Sequence, residues 1–242
     1  MAYDTNTKLL LHMDGADAST TFTDSESTPK TFTQHGSAHI DTAQSEFGGA
    51  SLRVAQATSD YISTPHTSDF NFTGDFFISC WYKSNSRRSY SGIVSNLTSG
   101  SGVAYNGWTI GTDNISGSND PFRFIVWINS TNSTLNITGT VDINNGAWHY
   151  LEVSRSGSTI RIFVDGTEGG SATYASTING DSGTLTIGDL WNDGNIQNVD
   201  AWIDEVIIVN GTAGHTSNYI APTAAWDNPA ATGGGSMLLM FA

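Results

Sequence analysis

WHYLEVSRSGSTIRIFVDGT, residues 148–167, is the stretch from which the fold can be read. His149, Leu151 and Val153 fall on one face of a first extended run, and Ile160, Ile162 and Val164 on one face of a second. Apolar residues recurring with a period of two mark half-buried strands, because successive side chains of a strand point to opposite faces. Ser156-Gly157-Ser158 supplies the turn between them. Asp165-Gly166 supplies the next, a dipeptide that tolerates the positive φ of tight hairpin turns. The stretch is a β-hairpin that leads directly into another turn.

Moving outward, similar runs recur along the chain, separated by clusters of Gly, Asn, Asp and Ser: KLLLHM, ASLRV, DFFISCWYK, SGIVSN, GWTIGT, FRFIVWI, TLNITG, GTLTIG and WIDEVIIV. No helical stripe longer than two turns is visible. The 242 residues contain only 13% charged side chains, too few for long solvated helices, but ample aromatics (7 Trp, 11 Phe, 8 Tyr) for a packed core. Proline is rare, as sheet interiors require. The predicted fold is all-β, a two-sheet antiparallel β-sandwich. It is expected to occupy residues 1–228, with a Gly-rich linker and apolar tail at 229–242.

Bulk properties exclude several function classes. A formal charge of −14 repels phosphate backbones, so no nucleic-acid partner is expected. No run approaches the length of a membrane-spanning helix, and MAYDTNTKLLLHMDG does not read as a signal peptide. Cys80, the single cysteine, cannot form an internal disulfide and reads as a buried thiol. His12, His35, His39, His66, His149 and His215 show no zinc-site spacing, and neither a G-x-S-x-G elbow nor a phosphate-binding P-loop occurs.

Taken in order, LLLHMDGADASTTFTDSE, SEFGGASLRV, DYISTPHTSDFNFTGDFFISCWYK, the 148–167 hairpin, LTIGD and AWIDEVIIVNGTAGHTSNYIAPTAAW resemble the concanavalin A-like lectin/glucanase superfamily. Within it they are similar to the laminin-G-like jelly-roll domains of bacteriophage structural proteins and bacterial surface proteins. The resemblance spans about residues 7–226 and implies a concanavalin A-like jelly roll. It does not by itself assign a ligand.

AWIDEVIIVNG, residues 201–211, places Asp204 beside Glu205 in an apolar run. Uninterrupted alternation puts Asp204 with Trp202, Val206 and Ile208, and Glu205 with Ile203, Ile207 and Val209. On that reading the two acids cannot share a cleft, as a glycosidase pair must. The E-x-D-x-x-E motif of the superfamily's glucanases is absent as well, so no catalytic residue and no enzyme is expected. The resemblance implies that Asp204 faces inward and takes part in a structural Ca²⁺ site, with Asp14 and the Gly48 and Gly49 carbonyls as partners. The alternative is Asp204 accepting backbone N–H bonds at a strand end.

Glycan recognition needs a flat apolar ring beside amides or carboxylates. DLWNDGN offers Trp191, Asn192 and Asp193; GVAYNGW offers Tyr105, Asn106 and Trp108; RRSYSG offers Arg87, Arg88 and Tyr90. The alternative for Trp191 is a ring folded back onto the sandwich rim.

The resulting expectation is a non-enzymatic virion protein, such as a capsid decoration, head fibre or tail appendage, presenting a lectin-like surface to cell-surface glycans. The rival is a carbohydrate-binding module of a bacterial surface protein, and behind it a glycan hydrolase. The expected location is the virion exterior, or else an extracellular surface. Partners would be other virion proteins or further copies of the chain, through the outer face of strand 202–209 or the C-terminal tail, since both faces of that strand are apolar.

Overall fold

The computed structural model describes residues 5–98, 105–114, 119–130, 132–179, 183–190 and 197–227. Among the described residues fifteen strands follow one another: β1 (Thr7–Leu11), β2 (Thr33–His35), β3 (His39–Asp41), β4 (Ser51–Val54), β5 (Tyr61–Pro65), β6 (Phe76–Ser84), β7 (Gly92–Thr98) and β8 (Tyr105–Thr112). After them come β9 (Pro121–Ser130), β10 (Leu135–Asp142), β11 (Trp148–Ser156), β12 (Thr159–Val164), β13 (Thr167–Thr173), β14 (Thr184–Ile187) and β15 (Ala201–Asn210). The helical turns among the described residues are two three-residue 3₁₀ segments, Gln56–Thr58 and Ser68–Phe70.

The strands form two antiparallel sheets. Sheet A runs β13-β12-β11-β6-β15-β4-β3, with β1 also paired to β15; sheet B runs β10-β9-β8-β7-β14-β5-β2. The fold is thus the expected concanavalin A-like sandwich. The hairpin of 148–167 has the register its pattern implied: Leu151 faces Val164, Val153 faces Ile162, and Ser156 faces Thr159. Asp165 and Gly166 both take positive φ, as a tight turn into β13 requires. Four strands were not evident in the sequence: β2, β3, β5 and the glycine-containing β13. They are short or polar, and their apolar residues are too few to alternate.

The core lies between the sheets. From sheet A it receives Phe76, Ile78, Cys80 and Tyr82 of β6 and Leu151 and Val153 of β11, and from sheet B Trp108, Ile110, Phe122, Phe124 and Val126. Phe72 stacks on Phe76 at 4.0 Å and lies 5.4 Å from the Trp108 ring. The Trp108 indole N–H donates to the Phe70 carbonyl at 2.9 Å, so this large ring carries no unsatisfied donor into the core. Cys80 is, as expected, a buried free thiol, and burial pushes its pKa far up.

The outer face of sheet A is also covered, by the chain's own residues 211–227. Trp226 packs on Phe77 at 5.9 Å over Leu10, Ile207 and Val209, which are buried. Glu152, buried on the same face, accepts from the His215 backbone N–H at 2.8 Å and from the Tyr219 hydroxyl at 2.8 Å. His215 and Tyr219 stack at 3.4 Å, and the Tyr219 edge meets Phe163. This corrects the expectation of self-association through 202–209. The apolar outer face exists, but an intramolecular strap occupies it. Residues 228–242, including the expected linker and tail, lie outside the described residues.

Candidate functional site

Asp204 and Glu205 depart most from the sequence reading. Along β15, Ala201 and Ile203 point into the core, and so do Val206 and Ile208. Both pairs can do so because the register with β6 slips between Asp204 and Ile207: Asp204 faces Trp81, and Ile207 already faces Ser79. Two residues oppose one, which is a β-bulge. Glu205 sits in it with φ +50°, a left-handed conformation that non-glycine residues seldom adopt. The bulge resets the alternation, so Asp204 and Glu205 both lie on the outer face of sheet A. Asp204 does not face inward with Val206, and the two acids are not separated onto opposite faces.

Both carboxylates are nonetheless enclosed, with Asp204 0% and Glu205 1% exposed. Asp204 Oδ2 accepts the N–H groups of Glu46 at 2.9 Å and Phe47 at 3.1 Å, and Oδ1 accepts that of Glu205 at 2.9 Å. Glu205 Oε1 lies 2.8 Å from His12 Nδ1, and Oε2 accepts the Trp226 N–H at 2.8 Å. Burial raises the Asp204 carboxyl to about 7, opposed by the Phe47 and Glu46 N–H bonds. Burial likewise raises Asp14; His12 opposes this shift and Glu205 adds to it. Asp204 thus anchors the 46–47 loop and Glu205 anchors the strap.

The Ca²⁺ donor set can be tested on the same geometry. Gly48 and Gly49 turn with φ +64° and +91°, and a Cβ on Gly48 would lie 1.8 Å from Asp14 Oδ1. Only glycine lets the backbone come this close to the acid. The Gly48–Gly49 turn therefore lies against the Asp14 carboxylate, while Asp204 already directs both carboxylate oxygens at backbone N–H groups. Among the described residues no group of three or more His, Cys, Asp or Glu is placed to share one ion. Backbone carbonyls would have to complete any calcium shell, which calcium tolerates.

Of the glycan candidates, Trp191, Asn192 and Asp193 lie outside the described residues. Trp108 is a core residue, 0% exposed, and cannot stack on a sugar; the expectation for it is corrected. Its strand places it on the same face as Ile110, toward the other sheet. Asn106 is buried, and Tyr105 is half-buried, with its ring edge-on to Trp127 at 6.3 Å.

Tyr90 stands out instead, 47% exposed and held at φ +59°. Its loop is tied to the sandwich rim. Arg87 pairs with Asp120 at 3.1 Å and with Asp142, Ser89 Oγ donates to Asp120 at 2.7 Å, and the Arg88 carbonyl accepts from Asn144 and Thr112. The Arg123 guanidinium sits 5.1 Å from the Tyr90 ring centroid, a cation–π contact. Arg123 is 6% exposed, makes one long contact to Asp113 at 3.5 Å, and has no partner for Nε. Burial lowers its pKa, against the pull of Asp113. Thr138 Oγ1 donates to Asp113 Oδ2 at 2.8 Å, and the Tyr90 hydroxyl reaches the Asn114 carbonyl at 3.5 Å. An exposed aromatic face, a guanidinium, a carboxylate and a hydroxyl thus converge at the β8–β9–β10 end of sheet B. Sequence reading found Tyr90 but missed Arg123, Asp113 and Thr138. Alternation in FRFIVWI already turns Arg123 away from Phe122 and Phe124, but nothing local places it beneath Tyr90.

No curated protein matches the chain in sequence. Among solved structures, the binding domain of Paraclostridial Mosquitocidal Protein 1 superposes with a TM-score of 0.63 at 13% identity, over 87% of this chain and 50% of that one. The binding domain of botulinum neurotoxin serotype C1 gives 0.62 at 17% identity, over 88% and 50%. Domain 4 of AbnA, an extracellular arabinanase of Geobacillus stearothermophilus solved with arabinotriose, gives 0.60 at 17% identity, over 86% and 94%. The chain thus spans about half the length of the toxin binding domains and nearly all of the arabinanase domain. At these identities the likeness speaks for the fold. The Laminin_G_3 family model matches residues 56–216, from the 3₁₀ turn before β5 into the strap, and the chain belongs to this family of the concanavalin A-like lectin/glucanases superfamily.

Proposed function

We propose that the protein is a non-enzymatic carbohydrate-binding domain whose contact surface is the Tyr90–Arg123–Asp113 face of sheet B. The observation that carries this reading is a half-exposed tyrosine ring backed by a buried guanidinium. The ring offers an apolar face to the C–H groups of a sugar, the half-buried Asp113 carboxylate and Thr138 hydroxyl offer polar groups to its hydroxyls, and Arg123, buried behind the ring, steadies it. The presence of arabinotriose on a structural neighbour supports a carbohydrate ligand for this architecture. The enclosure of Asp204 and Glu205 and the missing E-x-D-x-x-E motif favour binding over hydrolysis. A glycan array on the intact chain tests the proposal. Saturable binding weakened about tenfold or more in Tyr90→Ala, roughly the 1.4 kcal/mol of one stacking contact, is expected. Absence of binding to every glycan would overturn it, and loss in Trp191→Ala but not in Tyr90→Ala would move the surface to 191–193.

A structural calcium ion held by Asp14, Asp204 and the Gly48 and Gly49 carbonyls belongs to the same proposal. When bound it would neutralise the acids that burial disfavours. Millimolar Ca²⁺ should then raise the melting temperature of the wild type at pH 7.5 by several degrees, and leave that of Asp14→Asn unchanged. The finer reading puts this surface on the exterior of a virion, as a decoration, fibre or tail appendage; the resemblance of the segment order to jelly-roll domains of phage structural proteins motivates it. The other setting is a bacterial cell-surface protein.

A further inference from the structure

The turn that feeds β11 contains NNGAWHY, residues 144–150. Backbone groups hold the Asn145 side-chain amide at both of its polar atoms. Nδ2 donates to the Asp142 carbonyl at 3.0 Å, and Oδ1 accepts the Ala147 N–H at 2.9 Å. These partners fix which way the amide points. Oδ1 also lies 3.1 Å from His149 Nε2, while His149 Nδ1 lies 2.7 Å from Asp165 Oδ2. Both ring nitrogens face acceptors, so Nε2 is placed to donate to Oδ1. Asn145, Gly146 and Ala147 are all exposed. Gly146 turns with φ +83°, and a Cβ there would meet nothing within 4 Å. An amide oxygen with two donors aimed at it thus stands next to an unhindered backbone nitrogen.

We infer that Asn145 is a self-modification site, at which the Gly146 nitrogen displaces the side-chain amide. That nitrogen, whose N–H now donates to Ser84 Oγ at 3.1 Å, gives its proton to solvent base and bonds to Asn145 Cγ. The carbonyl π pair moves onto Oδ1, where the Ala147 N–H and His149 Nε2 meet the developing charge. As the pair returns, the Cγ–Nδ2 bond breaks, and Nδ2 takes a proton from water and leaves as ammonia. Water then opens the cyclic imide at either carbonyl, giving aspartate or its β-linked isomer; nothing is oxidised or reduced.

The chain has four Asn-Gly pairs, and the fold separates them. Asn106 is buried in β8, where a Cβ on Gly107 would lie 2.0 Å from the Asn96 carbonyl oxygen. Asn210 donates Nδ2 to the Asp69 and Asn71 carbonyls at 2.9 and 2.8 Å, and the Gly211 N–H is tied to the Asp75 carbonyl. Asn179 precedes Gly180, which lies outside the described residues. Among the three described pairs, Asn145 alone combines exposure with two donors on Oδ1.

Peptide mapping by mass spectrometry, on the intact chain held for weeks in mildly alkaline buffer, tests this. Conversion at 145 should outpace that at 106 and 210 about tenfold or more. In guanidinium, where the folded surroundings are lost, the three rates should converge. His149→Phe should slow conversion at 145 about fivefold, the worth of one hydrogen bond to the developing oxyanion. Asp165→Asn keeps a residue suited to its φ of +52° and should slow conversion as well, which guards against misfolding of His149→Phe. An amide at 145 that lasts as long in the folded chain as those at 106 and 210 overturns the site. So does an unchanged rate at 145 in both variants.

Discussion

Asp204 carries a protonation problem that only burial creates. Its carboxyl is raised to about 7 in the fold, from 3.8. The folded state therefore holds this proton more tightly than the unfolded chain does. Its contribution to stability is complete below about pH 3.8 and is lost as pH rises through about 7. Roughly three pH units at 1.36 kcal/mol each give an effect on the order of 4 kcal/mol, before any cation intervenes. In a calcium-free thermal melt the wild type should lose stability between pH 4 and 8. Asp204→Asn, whatever its absolute melting temperature, should show a flatter profile over that window. Identical profiles would mean that Asp204 is ionised throughout. Trp108 teaches a related lesson: as a residue type it suits a sugar platform, and its place on an inward-facing strand position makes it core.

At the scale of elements, β15 depends on the strap that follows it. Phe77, Leu10, Ile207 and Val209 form an apolar surface on the wrong side of sheet A for the main core, and Trp226 closes it. The strap is held at one end by Glu205 and along its length by Glu152, with Tyr219 N–H donating to the Gly166 carbonyl at 2.9 Å. Gly166 permits this approach, since a Cβ there would lie 2.1 Å from the Tyr219 carbonyl oxygen. Trp226→Ala should cost about 2 kcal/mol, from a half-buried indole, and lower the melting temperature by roughly 4–8 °C. It should also increase binding of a hydrophobic dye, as the outer face opens. Gly166→Ala should act in the same direction by displacing Tyr219. Unchanged melting and dye binding in both variants would show that the strap does not hold this face closed.

For the whole molecule, two sheets share one core and the strap covers a second face, with the proposed carbohydrate surface on sheet B and the acidic anchors on sheet A. If the virion assignment is right, mass spectrometry of purified particles should detect the chain, and brief proteolysis of intact particles should release it from the exterior. Recovery only from a bacterial cell surface would assign the domain there. The sequence by itself determined eleven of the fifteen described strands, because apolar residues recurring within a short run are a local signal and each of those strands carries its own copy. It determined the acidic surface and the family for the same reason: composition and segment order need no third dimension. Tertiary structure alone decided the facing of Asp204 and Glu205, because a one-residue bulge is invisible in a pattern yet inverts every side chain beyond it. It also decided what covers 202–209 and which arginine underlies Tyr90. These pairings join residues far apart in the chain, and no local periodicity encodes them.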